Sequence, residues 1–222
     1  MAGLTAILAG ASGLVGGEIL DRLVGAAEYE RVIVVTRRDL GARVRHPKVK
    51  QALVDFERLD DAGRGVHGDH VFCALGTTLS KAGSQAKFRQ VDLEYPLALA
   101  RVALARGAGH FAIVSAMGAS RTSPFFYSRV KGEVEAGLRA MTWPSLAIFR
   151  PSFIAGERSE SRPLERLGGC VLRIAPAGWR PVAAGDIAAA MIATALRSPR
   201  GVTVVESRDI PRVAAGTGRS GT

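Results

Sequence analysis

The sequence predicts an α/β domain of the doubly wound Rossmann type, in which helices cover both faces of a mostly parallel sheet. Short runs rich in Val, Ile, Leu and Phe alternate with longer helical patterns, and several of these runs are almost continuously apolar. A glycine-rich turn follows the first run directly. A length of 222 residues fits one such domain. The expected strand order is 3-2-1-4-5-6, which places a crevice at the carboxyl ends of strands 1 and 4.

The local patterns assign the individual elements. The predicted strands are 4–9, 31–36, 49–55, 70–75, 110–115 and 145–149, with 202–206 as a candidate last strand. The predicted helices are 15–25, 84–106, 124–141, 163–173 and 186–197. Gly and Asp are frequent between 58 and 68, which favours a short helix or a loop there. We expect one domain over residues 1–210, with a small substrate lobe at about 155–182 and a flexible tail over 211–222.

The composition argues against a membrane span and a nucleic-acid partner. No apolar run reaches the ~18 uncharged residues that a span needs. The net charge is +10, but acids and bases are interspersed and no basic run is longer than Arg37-Arg38. Nucleic-acid binding normally concentrates its positive charge in a stripe or patch. Residues 1–17 lack a basic leader segment and fit a buried first strand with its turn, so we expect a cytoplasmic protein, either a monomer or a homodimer.

Neither a metal site nor a disulfide is expected. Cys73 and Cys170 lie far apart and outside any CxxC spacing, which is typical of buried apolar cysteines. His67 and His70 form an HxxH pattern, but the sequence offers no further ligand near them. Zinc sites require several converging ligands.

The segment Gly10-Ala11-Ser12-Gly13-Leu14-Val15-Gly16 is the candidate phosphate-binding turn. Its GxxGxxG spacing is weak evidence, because the chain contains 26 glycines. Its placement is more specific, since the segment joins a strand to a helix whose positive end can face a pyrophosphate. In this interpretation Gly10 allows the tight turn, Gly13 lets backbone N–H groups approach the phosphates, and Gly16 permits close packing. Ser12 either reaches a phosphate oxygen or serves only its own turn.

The end of the second strand indicates which cofactor the turn holds. An NAD site usually has an acidic residue here, which binds the ribose 2′-hydroxyl. This chain has Thr36, Arg37 and Arg38, and no acid precedes Asp39. A guanidinium pairs with the 2′-phosphate of NADP(H), whereas a carboxylate would repel it. The sequence therefore favours NADP(H) over NAD(H), unless both arginines are simply solvated surface charges.

Ser115, Tyr127 and Lys131 form the candidate catalytic group. Ser115 ends the fifth predicted strand, and Tyr127 and Lys131 have the i, i+4 spacing that places both on one helix face. Reduction of a carbonyl needs a proton donor, and a neighbouring ammonium makes a phenol a better acid–base at neutral pH. In this interpretation Tyr127 is the general acid in reduction, Lys131 assists it and binds the nicotinamide ribose, and Ser115 polarises the carbonyl. The alternative is a surface tyrosine beside a surface lysine.

These motifs together resemble the short-chain dehydrogenase/reductase superfamily. The likeness rests on the segments GASGLVG, TRR, FCALGTT and FFYSRVKGEVE, and it runs from about residue 4 to 195. It is greatest to the atypical branch of the HIV Tat-interacting oxidoreductase-like protein and its small bacterial relatives. The resemblance implies an NAD(P)-binding oxidoreductase with a Rossmann fold.

The resemblance also implies further cofactor contacts. These are Asp55, Phe56, Leu75, Gly76, Thr77, Pro151, Ser152, Phe153 and Ile154. The first two would meet the adenine, the next three the ribose and phosphates, and the last four the nicotinamide. Active members often carry an asparagine on the helix after strand four, where this chain has Asp92.

Three functional hypotheses follow. The first is an NADP(H)-binding oxidoreductase that transfers hydride between NADP(H) and a small carbonyl or alcohol. The second is an NADPH-sensing regulatory or scaffold protein with little turnover, which Asp92 and the short substrate region favour. The third is an epimerase or dehydratase with tightly held NAD, against which Arg37 and Arg38 argue. The substrate does not follow from the sequence, because specificity in this fold resides in the variable C-terminal lobe.

Overall fold

The strands follow the apolar runs of the sequence closely. The computed structural model describes residues 3–59, 66–155 and 180–216. Side chains alternate along each strand, so neighbouring residues of one strand lie on opposite faces of the sheet. The strands are β1 (Leu4–Ala9), β2 (Tyr29–Thr36), β3 (Val49–Leu53), β4 (His70–Cys73), β5 (His110–Val114), β6 (Ser145–Arg150), β7 (Ile154–Ala155), β8 (Val182–Ala183) and β9 (Gly201–Glu206).

The main sheet has seven parallel strands in the order β3-β2-β1-β4-β5-β6-β9. This confirms the predicted doubly wound order and adds the candidate last strand beside β6. The chain reverses direction across the sheet between β1 and β4, so the carboxyl ends of these two strands flank a crevice. The short pair β7-β8, which the sequence did not predict, forms a separate parallel ladder.

The helices form two layers, one on each face of the sheet. They are α1 (Leu14–Gly25), α2 (Leu79–Ala82), α3 (Gln85–Arg89), α4 (Tyr95–Ala105), α5 (Phe126–Arg139), α6 (Ala184–Arg197) and α7 (Ile210–Ala215). Buried residues of α1, α6 and α7 pack with Ala6 and Leu8 of β1. Buried residues of α4 and α5 pack with Ile7 and Ala9 on the other face. None of the helices among the described residues is both long and apolar enough to cross a bilayer.

The predicted helix over 84–106 is interrupted. A π-helical segment, Gln90–Glu94, separates α3 from α4, and Pro96 stands in the first turn of α4. A proline has no N–H to donate to the carbonyl four residues earlier, so the regular ladder fails at this point and a wider turn replaces it. The interruption leaves Asp92 of the π segment buried.

The C-terminal residues correct one prediction and leave another open. The predicted flexible tail begins too early, because Ile210–Ala215 is helical and buries Ile210 and Ala214 in the core. These two apolar residues lie one helical turn apart, and this outweighs the Gly- and Ala-rich composition. The predicted helix over 163–173, Cys170 and most of the expected substrate lobe lie outside the described residues.

A buried polar cluster lies at the amino ends of the central strands. A hydrogen bond of 2.8 Å joins the Tyr29 hydroxyl to Nδ1 of His70, and one of 2.7 Å joins Nδ1 of His110 to the Ser145 hydroxyl. The two imidazole rings lie 5.5 Å apart. Burial, with a smaller contribution from His70, lowers the pKa of His110 to about 3. Burial also lowers the pKa of His70, although the charge of Asp69 opposes this.

We expect this cluster to make the fold sensitive to acid. His110 stays neutral in the folded chain down to a pKa of about 3, whereas the unfolded chain takes up the proton near 6.5. Between these values the unfolded state binds more protons, so the free energy of unfolding decreases as the pH falls. One histidine contributes at most about 1.4 kcal/mol per pH unit.

The measurement is urea unfolding at a series of pH values. His110→Asn can keep the hydrogen bond to Ser145 but carries no titrating ring, so its stability should depend less on pH in this window. His67→Asn is the matched control, because His67 is exposed. A His110→Asn protein with the same pH dependence as the unaltered chain would contradict the prediction.

Candidate active site

The glycine turn between β1 and α1 is shaped by close backbone contacts. Gly10 has a φ of +92°, and a Cβ there would collide with the carbonyl oxygen of Ala74, just after β4. A Cβ on Gly16 would collide with the carbonyl oxygen of Gly10. Both positions therefore exclude any side chain, in agreement with the tight turn and close packing expected there.

The first turn of α1 offers donors suited to a phosphate. Gly13 is the N-cap, and its N–H donates to the Gly10 carbonyl at 2.8 Å. The first N–H groups of a helix have no acceptor within the helix, and a glycine cap has no side chain to accept from them. Leu14, Val15 and Gly16 thus contribute backbone donors, and Val15 buries its side chain in the core. This is the donor set that an anionic group requires at a helix N-terminus.

A cavity of about 350 Å³ adjoins this turn. The structure brings together there seven of the predicted cofactor residues with two that were not singled out. The lining residues are Gly10, Ala11, Ser12, Val35, Thr36, Arg37, Arg38, Phe56 and Leu75. Ala11 lies within the predicted turn and Val35 stands directly before Thr36, and these positions were the signals that could have found them.

Arg37 is held at the cavity by aromatic rings. Its guanidinium carbon lies 5.7 Å from the centre of the Tyr95 ring. Tyr95 stacks in turn on Phe56, with ring centres 5.0 Å apart and an interplanar angle of 27°. A cation over an aromatic face is attracted by its quadrupole, which orients the arginine without neutralising it. Arg37 therefore keeps its charge available to an anion.

Asp39 is the first acidic residue after β2, and its carboxylate is hydrogen-bonded to residues that do not line the cavity. The carboxylate of Asp39 accepts hydrogen bonds from the Gly41 N–H at 2.9 Å and from the Gln51 amide at 2.7 Å. These two hydrogen bonds lower the pKa of Asp39. Asp39 does not line the cavity, so its charge does not occupy the place of an NAD-binding carboxylate.

Asp55 lies beside the cavity and not in its wall. Its carboxylate accepts from the Glu57 N–H at 3.0 Å and caps the short 3₁₀ helix Phe56–Arg58. Of the two residues expected near the adenine, the structure places only Phe56 in the cavity wall.

Lys131 forms a buried ion pair with Asp92. The Nζ–Oδ1 distance is 2.8 Å, and the side chains are 6% and 1% exposed. The contact lacks the angles of a hydrogen bond at Oδ1, whereas Oδ2 accepts from the Thr77 N–H at 2.9 Å. Burial is the largest single effect and lowers the pKa of the Lys131 ammonium, but Asp92, Tyr127 and Cys73 together outweigh it, so the pKa is raised. The pair thus joins α5 to the turn that follows β4.

Tyr127 stands at the start of α5 on the same face as Lys131. Its side chain is 40% exposed, and the centre of its ring lies 6.0 Å from the Lys131 Nζ. The ring also lies 5.7 Å from that of Phe88, which is fully buried. The predicted i, i+4 neighbours are therefore close together, with the phenol open to solvent.

Ser115 has a different partner from the one expected. Its hydroxyl donates to Oε1 of Glu135 at 2.6 Å, in a buried setting. Glu135 also accepts from Nε and Nη2 of Arg150, at 2.9 and 2.6 Å, and these bonds raise the pKa of the guanidinium. A buried carboxylate needs such donors to offset its desolvation. The proton that was expected to polarise a substrate carbonyl is therefore given to Glu135.

Sequence reasoning missed Glu135 and Arg150. The i, i+4 spacing that places Lys131 beside Tyr127 continues to Glu135, so the glutamate could have been found on the same helix face. Arg150 ends β6 directly before Pro151, the first of the residues expected at the nicotinamide, and that adjacency was the signal that could have found it.

The segment after β6 lies outside the cavity. The residues expected at the nicotinamide are Pro151, Ser152, Phe153 and Ile154. The Ser152 hydroxyl donates to the Arg180 carbonyl at 2.7 Å, and its N–H donates to the Ser207 hydroxyl at 3.1 Å. Ser152 thus joins this segment to the residues just before β8 and just after β9, while Phe153 and Ile154 are 53% and 41% exposed.

The fold and this site together define the class of protein. A glycine turn at the switch point of a doubly wound sheet, with a tyrosine and a lysine on one helix face, is the layout of Rossmann-type NAD(P)-dependent oxidoreductases. The chain belongs to the NAD dependent epimerase/dehydratase family, whose pattern matches residues 6–128.

Curated relatives agree with this assignment. Protein HTATIP2 of Rattus norvegicus is 39% identical over 172 residues, which cover 77% of this chain and 71% of that protein. The mitochondrial protein fmp52 of Aspergillus clavatus is 35% identical over 166 residues, 71% of this chain and 70% of that protein. These matches confirm the likeness to the branch that the sequence motifs resemble.

Solved structures show the same fold at low identity. The Bordetella bronchiseptica enzyme WbmG in complex with NAD has a TM-score of 0.69 at 16% identity, and the match covers 98% of this chain and 79% of WbmG. The human epimerase family protein SDR39U1 with NADPH has a TM-score of 0.62 at 17% identity, with coverage of 91% and 74%.

Glu135→Gln should lower the stability of the fold. It removes the buried charge that faces Arg150 and leaves the guanidinium with only its more exposed partner Glu206, at 3.0 Å, so the loss should be at most about 3 kcal/mol. Glu133→Gln is the matched control on the same helix, because the pair of Glu133 with Arg89 is part-exposed and pairs of this kind contribute only about 0–1 kcal/mol. Urea denaturation measures both, and equal losses would show that Glu135 has no special role.

Proposed function

We propose that this chain is an NADP(H)-dependent oxidoreductase that transfers hydride between NADP(H) and a small carbonyl or alcohol. The proposal rests on one observation above all: Arg37 and Arg38 line the same cavity as the glycine turn. A pyrophosphate at the turn and a 2′-phosphate at the arginines would both meet positive charge.

The donors and charges at the cavity fit the parts of the cofactor. The N–H groups of α1 would hold the pyrophosphate, Arg37 and Arg38 the 2′-phosphate, and Phe56 would provide an apolar wall for the adenine. Lys131 would bind the nicotinamide ribose through its ammonium. When bound, the cofactor supplies or accepts the hydride.

The protein's own part in the reaction is proton transfer and orientation. The phenol of Tyr127 would donate a proton to the substrate oxygen in reduction and accept one in oxidation, with the Lys131 ammonium stabilising the phenolate. Ser115 takes a changed role, because its proton is given to Glu135. Its oxygen keeps lone pairs that accept a hydrogen bond from a substrate hydroxyl.

The cofactor choice is tested by titrating the chain with NADPH and NADH. NADPH should bind more tightly, and R37A/R38A should weaken it selectively, because each lost charge-assisted contact costs about 1.5–3 kcal/mol. Arg58→Ala is the control, since Arg58 is two residues from Phe56 in the same short helix but does not line the cavity. Equal affinity of the unaltered chain for NADH would contradict the assignment of Arg37 and Arg38.

The acid–base role is tested with Tyr127→Phe. On any substrate from a panel of small carbonyls and alcohols, this variant should lose about 100-fold or more in turnover. Its affinity for NADPH should stay within the error of the titration, because the phenol hydroxyl is not part of the cavity wall. A Tyr127→Phe protein with an unchanged rate would exclude the role.

A second candidate is an NADPH-sensing regulatory or scaffold protein with little turnover. The hydrogen bond from Ser115 to Glu135 favours it, because this bond removes a donor from the reacting oxygen. NADPH binding without consumption of NADPH by any panel member would support it. NAD that co-purifies with the chain would instead support an epimerase or dehydratase with tightly held NAD.

Location and assembly stay proposals. The fungal relatives are named as mitochondrial, whereas we propose a cytoplasmic monomer or homodimer without a nucleic-acid partner.

A further inference from the structure

We propose that Asp92 balances the charge of Lys131 and thereby sets the relative affinity of this protein for oxidised and reduced NADP. This inference rests on the proposed function, because it requires NADP(H) to bind with its nicotinamide end near Lys131. It gives a role to the carboxylate that stands where related active proteins often carry an uncharged asparagine.

The ion pair lies directly beside the turn that follows β4. A Cβ on Gly76 would be 3.5 Å from the Asp92 Oδ1 and 4.0 Å from the Lys131 Nζ. The residue before Gly76 is Leu75, which lines the cavity, and the residue after it is Thr77, which donates to Asp92. Only the backbone at Gly76, which carries no side chain, therefore separates the two charges from the expected cofactor groove.

Few other charges face this pair among the described residues. Burial raises the pKa of the Cys73 thiol, at the end of β4, to about 12, so this neighbour of the pair stays neutral. Tyr127 is the other titratable neighbour on α5. Glu135 lies one helical turn further along α5 and is paired with Arg150. The balance at the site thus depends on Asp92 and Lys131.

The two redox forms of the cofactor respond differently to a net charge. The nicotinamide ring is positively charged when oxidised and neutral when reduced. An unpaired ammonium would therefore weaken the binding of NADP⁺ and leave that of NADPH almost unaffected. An unpaired carboxylate would instead strengthen the binding of NADP⁺ and again leave that of NADPH almost unaffected. In a site shielded from water, one such charge changes the affinity ratio on the order of tenfold.

The experiment measures the dissociation constants of NADP⁺ and NADPH by calorimetry, on the whole chain and at neutral pH. D92N should raise the ratio of the NADP⁺ constant to the NADPH constant about tenfold, and K131M should lower it about tenfold. D92N/K131M, which carries neither charge, should restore the ratio of the unaltered chain. A tenfold change in this ratio equals a shift of about 30 mV in the potential of the bound couple.

The ratio separates this inference from losses of general binding. Lys131→Met also removes a contact to the ribose, but that loss affects both forms equally and cancels. Glu133→Gln is the control, because it removes a carboxylate from the same helix at a part-exposed pair. If D92N does not fold, K131M and the double variant still give the two ratios that differ.

The outcomes are distinguishable. If the unaltered chain binds neither form, the proposed function fails. If both forms bind and the ratio is the same in the unaltered chain, D92N and K131M, the charge-balancing role of Asp92 is overturned.

Discussion

The site depends on the contact between the backbone at Gly10 and the chain that leaves β4. Because Gly10 and Gly16 carry no Cβ, the backbone can approach closely here and α1 starts directly against the carboxyl edge of the sheet. This brings four separate pieces of chain around one cavity, namely the turn between β1 and α1, the end of β2 with its two arginines, Phe56 after β3 and the turn after β4. A larger residue at Gly10 or Gly16 would move the helix end away from the arginines, and the two halves of an anion site would no longer share a cavity.

The polar face of α5 imposes the second constraint. Tyr127, Lys131 and Glu135 follow one another at intervals of four, and two of the three are charged and buried. Removing such charges from water is costly, so each requires a partner of opposite charge. Asp92 comes from the π segment and Arg150 from the end of β6, which fixes α5 against both. Two factors thus account for the irregular turn at Asp92. Pro96 has no N–H to donate, and the Asp92 side chain must be placed where it can reach Lys131.

The predictability of these features follows the range of the interactions behind them. Strand order and the position of the glycine turn come from local runs and spacings, and the cavity arginines are read directly from the end of β2. The pairings of Ser115 with Glu135 and of Lys131 with Asp92 join parts of the chain that are distant in sequence. The spacing on α5 places Glu135 on the face of Lys131, but no spacing specifies either pairing. The π turn left a local signal in Pro96, which the apolar periodicity of the surrounding helices obscured. The helix at Ile210 was missed because composition was given more weight than the spacing of two apolar residues.

The pairing of Ser115 with Glu135 reduces the difference between the two proposed functions, an oxidoreductase and an NADPH sensor. Under the proposed reduction, the oxyanion would receive a proton from Tyr127 but no hydrogen bond from Ser115, whose proton is given to Glu135. Loss of one oxyanion donor typically costs about 10²–10³ in rate. The cavity and its arginines are independent of that bond, so under this proposal cofactor affinity would be retained while the chemical step would slow. An oxidoreductase and an NADPH sensor built on this scaffold would then differ in the rate of that step and share the same binding site.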